Sequence, residues 1–170
     1  MTIVDHARSF AAIAHRDQKY GDQPYTTHTD TVVSILLEYN FGDDTALIVA
    51  GHLHDVVEDA GVAIQEIQAR FGADVASLVE GVTNEPGKNR KEKAVRTYPK
   101  IRIDDRRVAL KLADRLANGR HSKIKSPDLY AMYKKEYPAF RAALYQADEF
   151  DGMWYALDSL FDYQAAHAQN

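Results

Sequence analysis

The chain contains no cysteine. Disulfides and thiolate ligands are excluded, so any metal site must be built from His, Asp and Glu. The absence also fits a reducing compartment, and a cytoplasmic location is expected. No apolar run approaches membrane-spanning length, so no membrane partner is expected. The first residues, which include Asp5, His6 and Arg8, do not read as a secretory leader. Positive charge is in deficit: 21 Lys and Arg stand against 25 Asp and Glu, a net charge of -4. That balance argues against nucleic acid as a partner, and a small anionic ligand would need a local basic patch. No repeat, low-complexity tail or linker is visible. A single domain over residues 1–170 is expected, with 45% hydrophobic residues to form its core.

Apolar spacing is helical along most of the chain, and no β run is convincing. The pattern predicts helices from Ile3 to about Gln18 and from Thr29 to Tyr39. A third runs from a cap at Asp43 or Asp44 through about Val57. Ile64, Ile67 and Phe71 mark a fourth, closed by Gly72, and a fifth covers about Ala73 to Val82. After the break at Asn84–Gly87, helix is expected from Asn89 to Tyr98, stopping before Pro99, and again from Asp104 to Asn118. Pro127 opens another toward Tyr145, with a break near Pro138, and the last runs from about Gly152 to Tyr163. The fold class is all-α.

The stretch His52-Leu53-His54-Asp55-Val56-Val57-Glu58-Asp59 places charge at the end of an apolar helix. Charges beside a core are paired or metal-bound. His28, His54, Asp55 and Asp114 form a set of two imidazoles and two carboxylates. With water completing the shell, it suits Mn²⁺, Fe²⁺, Zn²⁺ or Mg²⁺, in that order. Taken singly, His28 reads as a hydrogen-bonded helix-start residue and Asp114 as a partner for Lys111 or Arg115. His52, two residues from His54, points away on a helix. Glu58 and Asp59 fall three and four residues beyond Asp55, where a carboxylate can orient or deprotonate water. Lys88, Asn89, Arg90, Lys91, Lys93, Arg96 and Lys100 cluster in an otherwise acidic chain. They suit a phosphate clamp or, equally, a solvated helix face. Arg16 contacts phosphate or pairs with a carboxylate, and Lys111 falls at the edge of the site. Tyr130, Tyr133, Tyr137, Tyr145 and Trp154 read mainly as core.

These residues also carry a family resemblance. In the order His28, His54-Asp55, Asp114, the chain resembles the HD metal-dependent phosphohydrolases. Within them it is most similar to the alarmone hydrolases: the hydrolase domain of the RelA/SpoT homologues and its stand-alone small versions. The shared runs include Pro24-Tyr25-Thr26-Thr27-His28, His54 to Asp59, and Lys111 to Asn118, and the likeness covers roughly residues 1 to 120. It implies an HD-domain helical bundle, a Mn²⁺ cofactor, and removal of the 3′-pyrophosphate of ppGpp or pppGpp in the stringent response. It implies His28, His54, Asp55 and Asp114 as metal ligands, Glu58 and Asp59 as the residues that position and activate water, and Asn118 as a contact to the nucleotide.

Several positions depart from the family pattern. Tyr20 stands near a family Arg that packs on guanine, and a Tyr can stack on a purine too. Thr29 replaces a Pro, Ala117 an aromatic or His, and Gly119-Arg120-His121 a Met/Leu-Arg-Thr/Asp run. The adenosine alarmones ppApp and pppApp therefore stand beside ppGpp as expected substrates. Another HD nucleotide phosphohydrolase and a non-catalytic alarmone-binding module are the alternatives. A homo-oligomer is left open by the sequence.

Overall fold

The computed structural model describes residues 1–164. Ten helices and one small hairpin make up the described chain. In order these are α1 (Ile3–His15), β1 (Lys19–Tyr20), β2 (Gln23–Pro24), α2 (Thr26–Glu38), α3 (Thr45–Leu53) and α4 (Val56–Ala60). There follow α5 (Ile64–Phe71), α6 (Ala73–Val82), α7 (Arg90–Arg102), α8 (Asp105–Lys125), α9 (Pro127–Leu144) and α10 (Asp151–Leu160). The all-α reading holds, and α8 is its axis, packing on α2, α3, α6, α7, α9 and α10. Side-chain caps start several helices: Thr2 and Asp5 form a capping box, Asp44 accepts from the Leu47 N–H, and Asn89 from the Glu92 N–H. No helix among the described residues is long and apolar enough to cross a membrane.

The boundaries depart from the periodicity in ways that matter for the site. The third helix does not continue through Val57; it stops at Leu53 and α4 begins at Val56. His54 explains the break. Its Nδ1–H donates to the Gly51 carbonyl at 2.9 Å, so a side chain occupies the acceptor that the helix ladder would use. Asp55 then becomes the N-cap of α4. A β hairpin also appears where none was expected. Lys19 pairs with Pro24 and Tyr20 with Gln23, around Gly21 at φ 64°. A two-residue turn with positive φ at its first position favours Gly there.

Pro99 and Pro138 lie inside α7 and α9 rather than ending them. An interior proline costs about 3 kcal/mol. Burial around each offsets it: Ile101 and Phe140 are fully buried, and Tyr98 packs edge-on to Phe140. The helix expected to end at Asn118 runs on to Lys125 because Gly119 and Ser122 continue its buried face. Tyr137 and Trp154 are core residues, Tyr130 stacks on Phe161, and Tyr145 packs edge-on to Trp154.

Gly81 on α6 faces α8 so closely that a Cβ there would overlap the Arg107 side chain. Arg107 is itself held by Ser77 Oγ at 2.9 Å and by the Lys100 carbonyl at 3.0 Å. Gly81→Ala is therefore expected to destabilise the protein by about 1–3 kcal/mol through overpacking. Urea unfolding of the two proteins checks this; equal midpoints would contradict the packing account.

Candidate metal centre

His28 comes from the first turn of α2, His54 and Asp55 from the joint between α3 and α4, and Asp114 from the middle of α8. His28 Nε2 lies 3.3 Å from His54 Nε2, 3.4 Å from Asp55 Oδ2 and 3.3 Å from Asp114 Oδ1. His54 Nε2 lies 2.9 Å from Asp55 Oδ2 and 3.8 Å from Asp114 Oδ1. The ligand atoms of His28, His54 and Asp55 all fall within 4.8 Å of one another, and Asp114 joins on the imidazole side. Donors around one divalent ion at about 2.0–2.2 Å sit about 3.0–3.4 Å apart. His28, His54 and Asp55 fit such an ion, while Asp114 lies 3.3 and 3.8 Å from the two imidazoles and outside that mutually close group.

The tautomer fits as well. The His54 Nδ1–H is committed to the Gly51 carbonyl, so in the neutral ring Nε2 carries a lone pair aimed into the cluster. Two imidazole nitrogens and two carboxylates facing one another call for a positive charge between them. Burial alone would lower the pKa of both histidines, yet Asp55 and Asp114 raise them, His54 to about 10. Burial would likewise favour neutral Asp55 and Asp114. His54 and His28 hold Asp55 well below the usual carboxylate range, and Lys111 and the imidazoles do the same for Asp114. These directions follow from two carboxylates facing two imidazoles, an arrangement that a bound cation also satisfies.

A second tier of contacts surrounds the donors. Lys111 Nζ donates to Asp114 Oδ2 at 2.9 Å, and Asn118 Nδ2 donates to Asp114 Oδ1 at 2.6 Å. Asn118 Oδ1 accepts from the Tyr20 hydroxyl at 3.2 Å, so both ends of its amide are engaged inside the protein. Tyr25 OH donates to Asp55 Oδ2 at 2.6 Å; burial and then Asp55 push its pKa far up, so it remains a donor. Glu58 and Asp59 are exposed on α4. Glu58 accepts from the Asn84 backbone N–H and from Asn84 Nδ2 at 2.8 Å, and Asp59 accepts from Gln18 Nε2 at 3.1 Å. His52 turns away toward Asp30, 3.7 Å distant.

The candidate substrate residues divide. Tyr20 is half-buried between His121, with ring centroids 4.1 Å apart, and His28 at 4.8 Å. With two imidazoles packed against it, it forms a wall of the site. Arg16 is exposed at φ 47° and lines a cleft of about 580 Å³ with Phe10, Asp59 and Glu66. Arg90 forks onto Glu136 at 2.8 and 3.0 Å, and the nearby Arg115 shares that carboxylate. Arg96 pairs with Glu92 and Lys100 with Glu85, so much of the basic cluster is matched by carboxylates; Lys88 is exposed. Tyr25, Gln18, Asn84 and His121 are site residues that sequence reasoning missed. Tyr25 lies within a shared run, and Gln18 reads as the end of the first helix; Asn84 reads only as a loop breaker and His121 only as a departure.

A helical bundle in which His, His-Asp and Asp side chains converge from two helices and a helix–helix joint defines an HD-domain protein. The family model described as HD domain matches residues 7–139, and the chain belongs to that family. It is 35% identical over 132 residues to the guanosine-3′,5′-bis(diphosphate) 3′-pyrophosphohydrolase MESH1 of Xenopus tropicalis, covering 74% of this chain and 73% of that one. It is 37% identical over 134 residues to a probable guanosine-3′,5′-bis(diphosphate) 3′-pyrophosphohydrolase of Synechocystis, matching 74% of this chain but only 17% of that longer protein. Among solved structures, a metazoan ortholog of SpoT described as hydrolysing ppGpp superposes with a TM-score of 0.84 at 25% identity, over 95% of both chains.

Proposed function

We propose that this chain is a metal-dependent hydrolase that removes the 3′-pyrophosphate from purine nucleotide alarmones, releasing pyrophosphate and the 5′-nucleotide. One observation carries the reading: four convergent donors flanked by a fixed pair of acidic side chains, in a chain whose relatives bear the name of that activity. Mn²⁺ is the ion we assign, held by His28, His54, Asp55 and Asp114. When bound, it supplies a Lewis acid for the phosphoryl oxygens and acidifies water at the site.

The remaining chemistry belongs to side chains. Glu58, aimed by Asn84, takes the proton from the attacking water. Asp59, held by Gln18, orients that water. Lys88 and Arg90 receive the distal phosphates. Arg90 can exchange its Glu136 fork for a phosphate, because a guanidinium meets both with the same paired geometry. Lys111 and Asn118 serve Asp114, and Arg16 stays at the rim. The net charge of -4 supports a small nucleotide rather than nucleic acid as the partner, and we place the enzyme in the cytoplasm.

We further propose that adenosine alarmones are accepted beside ppGpp. The wall where the family carries an Arg is here the Tyr20–His121 pair, its rings tilted by 36°, which lacks a fixed positive charge. The test is a Mn²⁺-supplemented assay of ppGpp and ppApp side by side, with nucleotide and pyrophosphate products separated. Release of pyrophosphate from both is the expected outcome. Turnover of ppGpp alone would remove the adenine extension, and inactivity on both would reassign the chain to another HD phosphohydrolase.

A further inference from the structure

The hairpin β1–β2 is too short to contribute much core, yet its two flanking tyrosines reach toward both carboxylates of the metal centre. Tyr20 closes β1, and Tyr25 follows directly on β2. Resting on the metal reading above, we propose that the hairpin is a positioning device for the metal carboxylates: Tyr25 fixes Asp55 directly, and Tyr20 fixes Asp114 through Asn118.

The Asp55 side chain needs such a partner. It sits at the N-cap of a five-residue helix but makes no side-chain bond to that helix. Nothing in the α4 backbone therefore sets its rotamer. Tyr25 donates at 2.6 Å to Oδ2, the oxygen that lies 2.9 Å from His54 Nε2. A carboxylate oxygen has two lone-pair directions, so the phenol can occupy one and leave the other for an ion. The Tyr25 ring is itself wedged between His15, at 4.3 Å between centroids, and His28, at 5.5 Å.

On the other carboxylate the arrangement is indirect. An amide presents a donor at one end and an acceptor at the other, and either end can face a neighbour. The Tyr20 hydroxyl shares its one proton between Asn118 Oδ1 at 3.2 Å and the Ala117 carbonyl at 3.3 Å; the Asn118 contact favours the amide orientation that turns Nδ2 toward Asp114 Oδ1 at 2.6 Å. Lys111 holds the second oxygen. The hairpin is seated tightly enough to do this: a Cβ on Gly21 would come within 3.1 Å of the His121 ring. Neither phenol has a place in bond making. Each acts through another residue.

Partners of this kind typically set metal affinity by about 10–100-fold. The experiment is calorimetric titration of Mn²⁺ into the metal-stripped full chain, comparing wild type with Tyr25→Phe and Tyr20→Phe. Melting temperatures are recorded with and without the ion. Tyr25→Phe keeps the ring and loses only the hydroxyl, so the metal-free melting temperature should hold. The Mn²⁺ dissociation constant should rise by about 10-fold or more, and the melting shift caused by the ion should shrink. Tyr20→Phe should show a smaller rise. Wild-type affinity in Tyr25→Phe overturns the proposal while leaving the metal reading intact. A wild-type chain that takes no Mn²⁺ overturns the metal reading, and this proposal with it. If Tyr25→Phe lowers the metal-free melting temperature, Tyr20→Phe decides: wild-type affinity there overturns the hairpin's role.

Discussion

Asp55→Ala should leave the protein without bound metal and lower pyrophosphate release by on the order of 10³-fold or more. The substitution removes the oxygen 2.9 Å from His54 and 3.4 Å from His28, the donor that completes the mutually close set. It also strips the Tyr25 hydroxyl of its acceptor. Under the proposed ligand set, one of four donors and one of its two negative charges are lost, which weakens the hold on a divalent ion. Elemental analysis of the purified variant, run beside a pyrophosphate assay, reads both effects at once. His52→Ala is the matched comparison. That imidazole is also buried and two residues away from His54, but it faces Asp30, so metal content should not change. An active, metal-loaded Asp55→Ala protein would remove the basis for the assignment.

Glu58→Gln should keep the metal and lose about 10²–10⁴-fold in turnover, the usual worth of a general base. Glutamine retains an oxygen that can accept from the Asn84 backbone or side-chain N–H, so the α4 contact to Asn84 survives. What disappears is the site that receives a proton. The loss should therefore fall on kcat with KM nearly unchanged. Metal content equal to wild type with full activity would move the proton acceptor elsewhere, Asp59 first. Loss of metal would mean that Glu58 is itself a ligand. The two variants thus separate holding the ion from activating water.

That His28, His54, Asp55 and Asp114 come together was readable in the sequence chiefly because their order matches a family pattern. The break between α3 and α4 was not readable. Periodicity averages over a window, and a ring nitrogen bonding back to Gly51 leaves no trace in hydrophobic spacing. The hairpin escaped for a related reason: two residues per strand give alternation no length to show itself. The prolines misled because their local cost was legible while the burial of Ile101 and Phe140 that offsets it was not. The pairing of the basic cluster depends on sequence distance. Arg96 with Glu92 is a neighbour along one helix turn, but Arg90 meets Glu136 across 46 positions. Tyr25 was visible only as part of a run, and its bond to Asp55 spans 30 residues.

Gly119 ties the pocket to the far end of the chain. It follows Asn118 on α8, and a Cβ there would come within 2.6 Å of Leu160 and 2.8 Å of Phe161, at the end of α10. The small residue thus answers to α10 rather than to a nucleotide base. For protein engineering this makes residues 117–121 a non-portable segment. A graft of a relative's bulkier sequence, intended to retune base preference, would first lift α10 off α8 and surface as poor expression. The graft and a re-cut Leu160–Phe161 contact have to be transplanted together.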